Sequence, residues 1–75
     1  MNFVHYKNLS GRSNVEAYSI GPTYIVVKFF NTQKPYTYSF RSAGERNVNK
    51  LICLAVSGYG LNRFININCK YLYER

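Results

Sequence analysis

The stretch Tyr24-Ile25-Val26-Val27-Lys28-Phe29-Phe30 decides the fold. Its β-branched and aromatic side chains suit a pleated surface, and the period of two sets Ile25, Val27 and Phe29 on one face with Lys28 on the other. A strand over 24–30 needs neighbours, and the chain supplies them on both sides. Upstream, Val15-Glu16-Ala17-Tyr18-Ser19-Ile20 runs into Gly21-Pro22. Glycine tolerates unusual φ and proline lacks a ladder donor, so this pair marks a turn after a strand over 14–20. Downstream, Asn31-Thr32-Gln33-Lys34 is a polar reversal, and Pro35-Tyr36-Thr37-Tyr38-Ser39-Phe40 alternates aromatic with small polar residues. A third strand over 35–40 completes an antiparallel meander.

The period then changes. Ser42-Ala43-Gly44-Glu45 has capping-box spacing, which predicts a helix beginning at residue 43. Val48, Leu51, Ile52 and Ala55 follow at i, i+3, i+4 and i+7 as one apolar stripe, and Gly58 stops the helix near Ser57. Arg46 and Lys50, four apart, fall on a different face. In the closing segment Ile65, Ile67, Cys69, Tyr71 and Tyr73 alternate like a strand, whereas Leu61, Phe64, Ile65 and Leu72 are spaced like one helical face. Periodicity leaves both open, with helix favoured over 60–73. Residues 1–13, ending in the polar Leu9-Ser10-Gly11-Arg12-Ser13, read as an arm or a short edge strand. The expected fold is α+β: a three-stranded antiparallel meander followed by two helices packed on one face, β-β-β-α-α. It forms a single domain over 1–75, with an arm over 1–12 and a core over 13–71.

Seventy-five residues support only one core. The composition, 47% hydrophobic with eight Tyr and five Phe, is too apolar for a disordered tail. Ten Lys and Arg face only Glu16, Glu45 and Glu74, leaving a net charge of +7. Such a balance favours acidic partners, nucleic acid first among them, although it also serves solubility alone. The opening Met1-Asn2-Phe3-Val4-His5-Tyr6-Lys7 has neither a cationic leader nor a long apolar run, and two cysteines do not make a disulfide scaffold. A cytoplasmic location is expected.

Chemistry-bearing constellations are sparse. General acid–base work needs a histidine or paired carboxylates, and the chain offers one His, three scattered Glu and no Asp. No catalytic residue is expected, and His5 reads as an exposed or edge residue. Cys53, Cys69 and His5 lack the paired spacing of a zinc site, so free buried thiols are expected, with no metal and no cofactor. Gly58-Tyr59-Gly60 follows a helix instead of opening one and reads as an interhelical turn, not a phosphate loop. The informative cluster is Tyr36, Tyr38 and Phe40, projecting from one strand face at about 6–7 Å intervals between Lys34 and Arg41. Either unstacked bases sit on these rings, or the rings are core beneath the helices.

The ordered set Ser13-x-Val15, a strand pair, Tyr36-x-Tyr38, Ala55-Val56-Ser57-Gly58 and Gly60-Leu61-Asn62-x-x-Ile65 resembles the KTSC domain, over roughly residues 13–71. That family occurs as the C-terminal extension of some lysyl-tRNA synthetases and alone in small bacterial and phage proteins. Leu61 stands where the family pattern leads one to expect an aromatic. The resemblance implies a domain for which RNA binding has been suggested. Charge and resemblance together lead to the expectation of a non-catalytic RNA-binding module. Lys28, Lys34, Arg41, Arg46, Lys50 and Arg63 would contact phosphates, and Tyr36 or Tyr38 would stack on a base. The alternative is a protein-interaction or homo-oligomerisation module that uses an open sheet edge.

Overall fold

A computed structural model of the protein describes residues 2–74; Met1 of the expected arm and Arg75 lie outside them. The fold is α+β. A four-stranded antiparallel sheet in the order β1-β2-β3-β4 is built from Val4–His5, Val15–Ile20, Tyr24–Phe29 and Tyr36–Ser39. The three expected strands are present within a residue or two of their expected ends. The fourth comes from the arm, whose short strand β1 pairs Val4 with Tyr18 and His5 with Ala17.

Register sorts the two faces. Tyr18 pairs with Val27, Ile20 with Ile25, Ile25 with Tyr38 and Val27 with Tyr36, so all of these share one face. Val15, opposite Phe29, joins them because the register shifts between Val15 and Ala17. In a regular strand residues 15 and 18 would point to opposite sides; the extra residue at Glu16 resets the phase and lets both reach the core. The buried cluster comprises Tyr6, Val15, Tyr18, Ile25, Val27, Phe29 and Tyr38 from this face, with Ala43, Val48, Leu51, Ala55, Leu61, Ile65 and Cys69 from the helices above it. The other face carries Lys28 and, at the edge, the exposed His5.

The helical region departs from expectation at its start. A single turn, α1 (Phe40–Ala43), begins directly from β4, and its cap is Ser39. The Ser42 N–H donates to Ser39 Oγ at 3.0 Å and the Ser39 N–H donates to Ser42 Oγ at 3.1 Å. Ser42 is thus the third residue of a capping box that starts three residues earlier than the Ser42/Glu45 spacing suggests. Gly44, at φ 89, breaks the chain direction before α2 (Glu45–Ser57), so Phe40 leaves the strand and the main helix starts two residues late. The α2 stripe and its end are as expected: Val48, Leu51 and Ala55 are buried, and the Gly58 N–H returns to the Leu54 carbonyl at 3.0 Å.

The closing segment is helical. It runs as α3 (Leu61–Phe64) and continues without a break through the wider π-helical turns of Ile65–Cys69. Leu61, Ile65 and Cys69, four apart, are all buried, whereas Ile67 is 68% exposed; the alternation that suggested a strand is therefore not the one used. The helix ends at Cys69, short of residue 73. Tyr73 then folds back on the sheet, its ring centroid 4.7 Å from that of Tyr36 and 6.3 Å from that of Tyr38. The Glu74 N–H donates to the Thr37 carbonyl at 2.6 Å, and the Ser39 hydroxyl donates to the Glu74 carboxylate. Among the described residues no helix is long and apolar enough to cross a membrane.

Tyr6 of the arm and Tyr73 after the last helix thus both pack on the core, which extends beyond residues 13–71. Tyr6, 6% exposed, is part of the buried cluster, and its hydroxyl accepts the Leu61 N–H at 3.2 Å across 55 residues of sequence. Leu61 is at the first turn of its helix, where a backbone N–H has no intrahelical acceptor. Replacing Tyr6 with Phe keeps the ring and strands that donor, at an expected cost of about 1–3 kcal/mol. Urea denaturation should show a lower midpoint at unchanged slope; an unchanged midpoint would contradict the assignment.

Candidate functional site

The main concavity lies where the arm meets the turn between α2 and α3. The chain after β1 passes over Gly58 so closely that a Cβ there would sit 2.5 Å from Lys7 Cβ, and Gly58 also holds φ 79. Only glycine satisfies both conditions. The Leu9 N–H then donates to the Gly58 carbonyl at 2.8 Å, pinning the loop on the turn. Beyond it the loop is organised by Asn8, itself at φ 54, whose carbonyl accepts the Gly11 N–H at 3.0 Å and whose Oδ1 accepts the Ser13 N–H at 3.0 Å. Asparagine is among the few residues that accept this left-handed backbone while bonding locally.

The result is an open cleft of about 540 Å³. Ser10, Arg12 and Ser13 form one wall, and Tyr59, Gly60, Asn62 and Arg63 form the other. Tyr59 is 61% exposed, and its N–H donates to Ser57 Oγ at 3.3 Å. No acid contributes to the lining. Two of the three glutamates lie toward the other end of the sheet: Glu45 follows α1, and Glu74 is bonded to Ser39. Glu16 forms an ion pair with Lys28 at 3.5 Å. Two guanidinium groups, an exposed phenol ring and several hydroxyl or amide groups in an acid-free cleft suit an anion with a planar ring attached.

A second, shallower hollow of about 220 Å³ lies at the far end of the last helix. Its floor is Phe29, Tyr36, Tyr38 and Ile65, and its rim is Asn66, Lys70, Tyr71 and Tyr73. Tyr71 is 64% exposed with Lys70 Nζ 5.5 Å from its ring centroid.

The eight residues singled out from sequence do not form one surface. Lys28 points away from the helices and is paired with Glu16. Lys34 and Arg41 sit beyond opposite ends of β4, and Arg46 and Lys50 ride on the solvent side of α2. Arg63 alone lines the main cleft, where its companion is Arg12. Tyr38, 2% exposed, is core, so its ring is not available for stacking. Tyr36 is half-buried between Phe29, at 5.7 Å, and Tyr73. The aromatic row is therefore largely the floor beneath the helices, because Tyr36 and Tyr38 share with Ile25 and Val27 the sheet face that the helices cover. Arg12, Ser10, Tyr59 and Asn62 were not anticipated; the signal for Tyr59 is its position between two glycines, a turn with no room to bury a ring.

Of the two thiols, Cys53 is exposed, contrary to expectation, and Cys69 is buried. Among the described residues no cluster of three or more His, Cys, Asp or Glu could hold a metal ion. Burial pushes the Tyr38 phenol well above its ordinary range, with further contributions from Cys69, Tyr36 and Tyr73, and burial likewise raises the Cys69 thiol. Each group is held neutral in the folded state more firmly than in the unfolded chain. Its contribution to stability is complete below the unfolded value and is lost as pH rises toward the folded one. Stability should therefore fall as pH rises through about 9, where a free thiol is half-ionised. A Cys69→Ala, Tyr38→Phe variant should show a flatter alkaline limb in urea titrations, and an equally steep limb would contradict the assignment. Comparison with family models, with curated proteins and with solved structures finds no match to this chain.

Proposed function

We propose that the chain is a KTSC-like, non-catalytic RNA-binding module acting in the cytoplasm, with the cleft between Arg12, Tyr59 and Arg63 as the centre of its contact surface. The observation that carries this reading is the acid-free pairing of two arginines with an exposed tyrosine in one concavity. A guanidinium meets phosphate oxygens in bidentate fashion, and an exposed ring accepts an unstacked base. Lys7, on the turn beside the cleft, adds charge, and the net +7 of the chain brings polyanions toward it. Lys34, Arg41, Arg46 and Lys50 belong to the same proposal as sources of long-range attraction, while Lys28 is partly neutralised by Glu16.

A protein-interaction role has one observation in its favour. The outer side of β1 is a sheet edge with Phe3 and Val4 exposed beside it, whereas at the opposite edge the Thr37 carbonyl of β4 accepts the Glu74 N–H. The two readings differ in what salt does. Labelled single-stranded and hairpin RNA, titrated by fluorescence anisotropy, should bind with an affinity that falls linearly in log–log with salt. An Arg12→Gln, Arg63→Gln variant should bind about tenfold more weakly at low salt, with a slope shallower by about 0.7 for each phosphate that it no longer neutralises. Absence of binding at low salt, or a variant equal to wild type, would overturn the proposal.

A further inference from the structure

Two exposed tyrosines, each next to cations, stand at the two ends of one helix. Tyr59 shares the main cleft with Arg63 at the start of α3, and Tyr71 follows its end with Lys70 Nζ over its ring. Between them Arg63, Asn66, Ile67 and Lys70 are all exposed, while Leu61, Ile65 and Cys69 are turned inward. Asn62 and Arg63 line the first hollow, and Asn66 and Lys70 line the second. The outer side of this helix therefore joins the two hollows, with Arg63 in its first turn and Lys70 at its end.

We propose that this helix face is a track for single-stranded RNA, with one base on Tyr59, the backbone passing between Arg63 and Lys70, and a second base on Tyr71. The proposal rests on the RNA-binding reading above and narrows it to single strands. Rings exposed at both ends of a cationic path suit bases that are already unstacked, which a duplex does not offer. Ile67, the most exposed large apolar side chain of the track, gives the sugar or base between the two stacked positions an apolar surface to cover. The chemistry is complementary along the whole path: cations at both ends, amides from Asn62 and Asn66, and no acid lining either hollow.

The test uses the intact chain and fluorescein-labelled oligouridylates of two and eight residues at low salt. The octamer reaches both rings and should bind at least tenfold more tightly than the dimer, and more tightly than a blunt duplex of the same length. Tyr71→Ala should weaken octamer binding about tenfold, the scale of a single base stack. Because Tyr71 and Lys70 are exposed, neither variant removes core; Lys70→Gln should lower the salt slope for the octamer by about 0.7. Octamer binding that is indifferent to both substitutions, or a duplex bound as tightly, overturns the track and leaves the cleft in place. No binding of either oligomer overturns both.

Discussion

The hydrogen bond from the Leu61 amide to the buried Tyr6 hydroxyl ties the first and last parts of the chain together, and the cleft depends on it. A helix that starts after a glycine turn, with no side-chain cap, has unsatisfied donors at its first turn. Here one of them is met by a phenol from the arm, so the arm cannot leave without stranding a buried polar group. Once Tyr6 is fixed, Lys7 is drawn over Gly58 and Leu9 is bonded to it, which places the Ser10–Ser13 loop against Tyr59 and Arg63. The bond from Tyr6 to Leu61 and the contacts of Lys7 and Leu9 with Gly58 thus act together in setting the loop against the turn.

A second constraint is size. With so few residues, the aromatic side chains on the helix-facing side of the sheet go into the core: Tyr38, Phe29 and most of Tyr36 lie under the last helix and the returning Tyr73. The exposed rings are left on turns and helix surfaces, where Tyr59 and Tyr71 stand next to Arg63 and Lys70. Rings placed there remain exposed without removing packing from a marginal core.

Much of the fold is legible in the chain. The β-branched run at 24–29, the Gly21-Pro22 turn and the stripe at Val48, Leu51 and Ala55 each carry a period that only one element satisfies. Three features are not legible, for identifiable reasons. The helix start is ambiguous because Ser42 serves either as a cap or as the third residue of a box, and only the Gly44 backbone at φ 89 distinguishes them. The bulge at Glu16 changes the phase of a strand without leaving a mark on composition. The cleft joins residues 10–13 to 59–63 through a long-range hydrogen bond, and no local pattern announces such a partner. Arg63 is found from charge alone, whereas Arg12 escapes notice because its segment reads as an arm.

Whether arm and turn build one RNA-binding surface, as proposed, is tested by backbone amide chemical-shift mapping of the intact protein with a short oligouridylate at low salt. Perturbations are expected at residues 10–13 and 59–63 together, fading in parallel as salt is raised. Shifts confined to the outer sheet face around Lys28, or in only one of the two segments, would contradict it.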